Sequence, residues 1–372
     1  MYKILHVITD TNIGGAGRVL LNYLANYDRN AFAITVALPP NSLLEPLIER
    51  LDVPCIEVDG IADKSFSMKS IMRLRELMDN LTPDLVHTHA SLSARIAARM
   101  YKRCKLIYTR HCCFDQPAYK KRFPMKQLAG AVNNYFADKI IAISPAAKEN
   151  IVETGGDPDK IIVMLNGIVP ITPFTDAEKT VARQKYGLAN NDFVCAILAR
   201  LTKVKGHEQI IQAAAMFQKI DPAVKFLIVG MGEEETALRE MVETLQLNNS
   251  IFTGFIDDVR EILGMIDLQL NASYGTETSS LSLLEGMCLG IPAVASDFGG
   301  NPYLIQNGEN GLLFERKNAN DLFEKISKIR NDATLRAQMA ESAVAIFNER
   351  FTVKHMATNI ENVYREVLAD GK

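Results

Sequence analysis

A chain of 372 residues, 48% hydrophobic and 23% charged, is long for one core, since single cores stop growing at roughly 250–300 residues, and two domains are expected. No run of 18 apolar residues occurs, so no membrane-spanning helix is expected, and six cysteines without metal-ligand spacing suit reduced thiols in the cytoplasm. A net charge of −3, spread as 21 Lys/Arg against 17 Asp/Glu over residues 1–165 and 20 against 27 over the rest, argues against a nucleic-acid partner.

The first half alternates short β-branched runs with helix-length segments. Strands are expected at 3–9, 33–38, 55–58, 84–87, 105–108, 139–143 and 160–164, a βα rhythm that implies a parallel sheet covered on both faces. Ligands in such sheets bind beyond the carboxyl ends of the strands, so the loops after strands carry the functional expectations. The first is Gly14-Gly15-Ala16-Gly17-Arg18, where glycine lets backbone approach a phosphate at a helix N-terminus. A dinucleotide fingerprint fails here: Leu20 stands where the third glycine belongs, and the second strand ends Ala37-Leu38-Pro39-Pro40 without an acidic residue for a ribose. His87 and His89 share a strand face and, with His111, raise the question of a metal, but no Cys or carboxylate completes a ligand set; no metal is expected. Cys112 and Cys113, beside His111, read as structural.

Between residues 95 and 126 ten cations, Arg95, Arg99, Lys102, Arg103, Lys105, Arg110, Lys120, Lys121, Arg122 and Lys126, face only Asp115. Such a stretch is either a solvated helix face or a contact for an anionic acceptor or an anionic membrane surface. Asp157-Pro158-Asp159 reads as a turn. Asn166-Gly167-Ile168-Val169-Pro170-Ile171-Thr172-Pro173 lacks a helical period and marks the domain boundary.

The second half repeats the alternation, with strands expected at 193–199, 225–229, 251–253, 268–271, 293–296 and 311–314. After its first strand, Arg200 and Lys205 bracket a turn leading into a helix, a placement suited to a diphosphate. Gly230 and the Gly254-Phe255-Ile256 segment end two further strands, leaving room for a flat base read by backbone groups at Phe255 and Ile256. In Tyr274-Gly275-Thr276-Glu277-Thr278-Ser279-Ser280-Leu281-Ser282-Leu283-Leu284-Glu285, a small polar loop runs into an apolar helix. Ser280 and Leu281 would offer free N–H groups to an anion, while Glu277 and Glu285 can accept from hydroxyls. An anion beside a polyol describes a nucleotide-sugar. The chain from Asn318 onward reads as helical throughout, with a break near Arg350-Phe351-Thr352.

Taken in order, Gly14-Gly15-Ala16-Gly17-Arg18, Arg200 to Lys205-Gly206, Glu277 and Glu285 with seven residues between them, and Gly290-Ile291-Pro292 through Gly299-Gly300-Asn301-Pro302 resemble the retaining glycosyltransferases of family 4 over nearly the whole chain. The resemblance implies the α/β GT-B architecture, two Rossmann-like doubly wound parallel-sheet domains facing a central cleft: an acceptor domain at 1–168, a donor domain at 169–350, and a helix at about 351–372 crossing back to the first. It implies that Arg200 and Lys205 hold the donor diphosphate, Glu285 the ribose, Glu277 the sugar hydroxyls, Gly15 the phosphate from the other domain, and that His111 lies beside the donor sugar. Thr278-Ser279-Ser280 and Tyr303 depart from the family's usual Gly-Phe-Gly and glutamate. The expected function is a retaining transfer, without metal or other cofactor, from a nucleotide-diphosphate sugar, UDP-sugar before GDP-sugar, to a hydroxyl of a glycan or lipid-linked acceptor in cell-envelope polysaccharide synthesis. The basic 95–126 stretch would meet the inner face of the plasma membrane. A nucleotide-sugar epimerase of the same fold and a non-catalytic nucleotide-sugar-binding subunit are the alternatives.

Overall fold

The computed structural model describes residues 1–111, 113 and 116–369; Cys112 and Asp115, both part of the sequence expectations, lie outside them. The chain divides into two compact units, one formed by Met1–Val169 with Thr352–Lys372 and the other by Pro170–Phe351.

The first unit carries a sheet of seven strands: β1 Tyr2–Ile8, β2 Phe32–Leu38, β3 Cys55–Glu57, β4 Leu85–His89, β5 Lys105–Arg110, β6 Lys139–Ala142 and β7 Ile161–Val163. Their order is β3-β2-β1-β4-β5-β6-β7, with every pair parallel. The strands are apolar runs because helices cover both faces, so alternation with polar residues is lost. Leu5, Val7, Val86 and Leu106 form one core with Ile71, Leu74 and Met78 of the helix Met68–Leu81. The strand order reverses between β1 and β4, which opens the carboxyl ends of those two strands, where side chains of neighbouring loops can converge.

The second unit repeats the plan with β8 Phe193–Leu198, β9 Val224–Val229, β10 Ser250–Gly254, β11 Leu268–Asn271, β12 Ala293–Ser296 and β13 Gly311–Phe314. The order β10-β9-β8-β11-β12-β13 is again all parallel and reverses between β8 and β11. Its core includes Phe217 and Phe226, whose rings lie 5.8 Å apart. Strands stand where each apolar run was expected, with ends shifted by a residue or two. Helix continuity after Asn318 is corrected. The chain breaks at Asp332 between the helices Ala319–Asn331 and Ala333–Arg350. Asp332 is extended, and its carboxylate accepts from Leu335 N at 2.9 Å, so an N-cap interrupts what periodicity alone shows as continuous.

The returning helix Val353–Ala369 belongs to the first unit. Ile168 forms a parallel bridge with Thr352, the Val353 amide donates to the Ile168 carbonyl at 2.9 Å, and Glu361 accepts from the Asp28 amide at 2.8 Å. Among the described residues no helix is long and apolar enough to cross a membrane.

Candidate active site

The reversal between β8 and β11 brings together the loops that follow them. Lys205, seven residues beyond β8, reaches Glu277, six beyond β11: Nζ lies 2.9 Å from Oε2 and also donates to the Thr276 carbonyl at 3.1 Å. Glu277 is buried, with 7% exposure. Its Oε2 also accepts from Ser273 Oγ at 2.9 Å and Asn271 Nδ2 at 3.2 Å, so three donors fix one oxygen. Asn271 is itself held, since its Oδ1 accepts from the Ser273 amide at 3.1 Å and from Asn301 Nδ2 at 3.4 Å. Asn301 donates to Ser296 Oγ, whose hydroxyl donates to the Ser273 carbonyl. Such a buried network, in which only the Asn301 Oδ1 lacks a partner among the described residues, holds a carboxylate in one orientation.

Glycines make the fit. Gly206 lies at φ +72° and a Cβ there would overlap the Ala272 carbonyl. Gly299 and Gly300 pack under the Glu277 loop, with the Gly300 amide donating to the Glu277 carbonyl at 3.1 Å; a Cβ on either would meet the carbonyls of Glu277 or Thr278. The Gly-Gly pair thus supports the carboxylate from below. Ser280 caps the helix Leu281–Cys288, its Oγ accepting from the Leu283 amide at 3.3 Å. That hydroxyl also accepts from Asn271 at 3.2 Å, so it is committed inward, whereas Ser279 Oγ has no partner. Glu285 is half-buried one turn along the same helix.

Arg200 is exposed beyond β8, and Gly230, at φ +136°, lies against the Ala199 carbonyl. Phe255 is 57% exposed just past β10, while Ile256 packs into the apolar cluster with Ile262 and Ile266. Nine of the expected residues, Arg200, Lys205, Gly230, Phe255, Ile256, Glu277, Ser280, Leu281 and Glu285, thus lie at the strand ends of the second unit. Gly15 and His111 belong to the first. Gly15 starts the helix Gly15–Leu24, exposed and with open space where a Cβ would stand.

His111 follows β5 and is not solitary. Parallel registers His6 to His87 and His89 to Thr109 place four histidines and a threonine side by side. His111 Nε2 lies 2.8 Å from His89 Nδ1, His89 Nε2 3.0 Å from His6 Nδ1, and His6 Nε2 3.1 Å from the hydroxyl of Tyr364 on the returning helix. That hydroxyl is 2.6 Å from His87 Nδ1, and His87 Nε2 is 2.6 Å from Thr109 Oγ1. Burial keeps the rings neutral, lowering His6 to about 3 and His111 to about 4, with His87 and His89 well below the ordinary range. Nitrogens of His6, His87 and His89 lie within 4.8 Å of one another, near enough for a metal, yet each is already hydrogen-bonded to a neighbour. Sequence reasoning missed His6, Tyr364, Asn271 and Ser273. A polar Asn271 closing an apolar strand was the available signal for the last two.

The basic stretch is less of a patch than its composition suggests. Arg95 is buried, donating to the Phe136 carbonyl at 2.7 Å with its guanidinium 4.3 Å from the Tyr108 ring centre. Arg99 pairs with Asp138 at 2.8 Å and Lys121 with Glu153 at 2.6 Å. Both arginines are structural, and the solvent-facing part is 102–103 and 119–128, where Tyr119, Phe123 and Leu128 are exposed among Lys121, Arg122 and Lys126.

Two family models match adjoining parts of the chain: Glycosyltransferase Family 4 over residues 13–170 and Glycosyl transferases group 1 over residues 178–345. The chain belongs to the group 1, family 4-like glycosyltransferases. It is 25% identical to N-acetyl-alpha-D-glucosaminyl L-malate synthase of Bacillus anthracis, over 97% of this chain and 96% of that protein. To an Escherichia coli UDP-Gal:alpha-D-GlcNAc-diphosphoundecaprenol alpha-1,3-galactosyltransferase it is 26% identical, over 99% and 98%. The crystal structure of Anabaena HepE in complex with UDP superimposes with a TM-score of 0.86 at 24% identity, covering 98% of this chain and 100% of that one. Both units are the Rossmann-like domains of the GT-B fold.

Proposed function

We propose that this glycosyltransferase takes a sugar from a nucleotide-diphosphate donor, a UDP-sugar before a GDP-sugar, and passes it with retained configuration and without metal to a hydroxyl of a glycan or lipid-linked acceptor in cell-envelope polysaccharide synthesis. The observation that carries the reading is the Lys205–Glu277 pair, a fixed cation beside a carboxylate with three donors on one oxygen, at the strand-order reversal of the second unit. Lys205 and Arg200 would take up the charge that grows on the diphosphate as the sugar leaves, which is preorganised electrostatic stabilisation. Glu277 is held by neighbours as a hydrogen-bonding carboxylate, so its role is to accept from sugar hydroxyls. Retention then follows from departure and attack on one face, with the leaving phosphate taking the acceptor's proton. Glu285 would accept from the ribose. The relative named as a UDP-Gal transferase to a diphosphoundecaprenol acceptor and the neighbour bound to UDP support donor and acceptor class.

Calorimetric titration of UDP-, GDP- and ADP-sugars in the presence of a chelator tests this. A UDP-sugar is expected to bind, and Glu285→Ala to weaken it at least about tenfold, the loss of a charge-assisted hydrogen bond. Equal binding by the variant would remove Glu285 from the ribose. The exposed Tyr119, Phe123 and Leu128 among Lys121, Arg122 and Lys126 support a peripheral cytoplasmic-face membrane contact for this part of the chain. Vesicle binding that is insensitive to anionic lipid and to neutralising Lys120, Lys121 and Arg122 would remove it.

A further inference from the structure

The strand-order reversal of the first unit, between β1 and β4, opens a ligand-binding edge of its own, and the loops after β1, β2 and β3 are bonded there into one rim. The Ser42 hydroxyl donates to the Asp10 carbonyl at 2.8 Å, and the Leu43 amide to the Thr11 carbonyl at 3.0 Å. From the loop after β3, the Asp63 amide donates to the Thr9 carbonyl at 2.8 Å. The Asp63 carboxylate in turn accepts from the Thr11 hydroxyl at 2.7 Å and the Thr11 amide at 3.3 Å. These bonds fix the path of Thr9, Asp10 and Thr11 just beyond β1.

What they leave over is the Asp10 side chain. Its carboxylate lies against Gly14, where a Cβ would stand 3.7 Å from Oδ2, at the start of the helix Gly15–Leu24. Asp10 is half-buried, yet among the described residues no donor and no cation reaches its oxygens, and both oxygens stay open to solvent. Burial and the charge of Asp63 raise Asp10 above the ordinary carboxylate range, as expected of a group without donors of its own. A carboxylate held partly out of water and unpaired is costly in the free protein. A ligand that brings a hydroxyl relieves that cost, and one that brings a second anion adds to it. Beside it Ile13 and Leu43 are 38% and 55% exposed, apolar surface around one placed polar group, which is the composition of a small-molecule site.

We propose that Asp10 is a specificity-determining residue for the acceptor: its carboxylate accepts from a hydroxyl of a neutral sugar unit bound on this rim and turns away a unit that carries a carboxylate at the same place. The inference rests on the proposed transfer to a glycan hydroxyl. It narrows that acceptor to one whose accepting unit is uncharged, with any phosphate farther along the molecule. Specificity here has both an attractive and a repulsive part, and a single atom group supplies both.

The test reads Asp10 directly. In the full-length protein with ¹³C-labelled aspartate, the side-chain carboxyl signals are followed while methyl α-glucoside, methyl N-acetyl-α-glucosaminide or their charged counterpart methyl α-glucuronide is added. Asp10→Asn keeps the shape, loses no partner and identifies the signal, and saturation transfer to the probes' methyl groups compares affinities in both proteins. At least one neutral probe is expected to shift the Asp10 signal saturably, with the glucuronide at least about tenfold weaker, and Asp10→Asn to bring the two within about twofold. No shift from either neutral probe would overturn the proposal, as would a glucuronide that binds as tightly as the glucoside, or an Asp10→Asn protein that keeps the wild-type preference. Saturation of the Asp10 signal by submillimolar magnesium alone would also overturn it, since the carboxylate would then belong to a cation. Nucleotide-sugar binding without any of the expected responses removes the role of Asp10 and leaves the proposed transfer standing. The expected responses in a protein that binds no nucleotide-sugar remove the transfer and keep Asp10 as a sugar contact.

Discussion

Lys205 and Glu277 stabilise each other from opposite sides of a loop junction: the cation is partly exposed and the carboxylate almost wholly enclosed. Lys205→Met would leave Glu277 with Asn271 and Ser273 but no counter-charge. A loss of about 1–3 kcal/mol is expected, less than a fully buried pair because solvent still reaches the lysine. Donor affinity should fall with it. Urea denaturation and calorimetry on the same sample check both, and an unchanged midpoint would mean that water replaces the lysine without cost. The two glutamates were legible in sequence because a polar loop running into an apolar helix is a local pattern. Asn271, Ser273, Ser296 and Asn301 were not, since their purpose appears only when β11, β12 and the loop after each are brought together. Arg95 misled for a related reason. Counting charges along a segment treats every side chain as outward, whereas Arg95 shares the buried face of its helix with Ala94, Ala97, Ala98 and Tyr101.

At the scale of elements, the site is a stack of loops: Gly299-Gly300 beneath Glu277–Thr278, and Gly206 against Ala272. Such stacking tolerates no side chain at the contact. Gly300→Ala should destabilise by about 1–3 kcal/mol through overpacking and weaken donor binding by displacing Glu277, although the residue itself touches no expected ligand. Wild-type binding in that variant would show that the Glu277 loop is held by its side-chain hydrogen bonds alone. Strands were the most legible elements, because a parallel sheet covered on both faces writes itself as bounded apolar runs such as Phe193–Leu198. The break at Asp332 was not legible, because apolar periodicity continues on either side and only the extended backbone of the cap separates two helices.

For the whole molecule, buried histidines set the acid response. Burial lowers His6 to about 3, His111 to about 4 and His207, in the other unit, to about 4, while each has an ordinary value near 6.5. The unfolded chain therefore binds protons below pH 6.5 that the folded chain refuses. Stability is full above 6.5 and falls as the pH drops toward 4, by up to about 1.4 kcal/mol per pH unit for each such histidine. Urea midpoints between pH 6.5 and 5.5, above the range where carboxylates titrate, isolate the effect; a flat profile there would contradict it. The histidine chain was the least legible feature in the sequence. Its contacts span 83 residues from His6 to His89, 277 from His87 to Tyr364 and 358 from His6 to Tyr364, and no local pattern encodes a partner that distant.

That last separation bears on how the protein is made. Residues 170–351 form a unit closed on itself, whereas the first unit lacks Tyr364, Glu361 and the rest of Val353–Ala369 until the whole of the second has been synthesised. On the ribosome the order of synthesis and the order of completion are thus inverted. The segment translated first waits, with His6 and His87 short of their hydroxyl partner and a sheet face uncovered, while the segment translated later has everything it needs to fold.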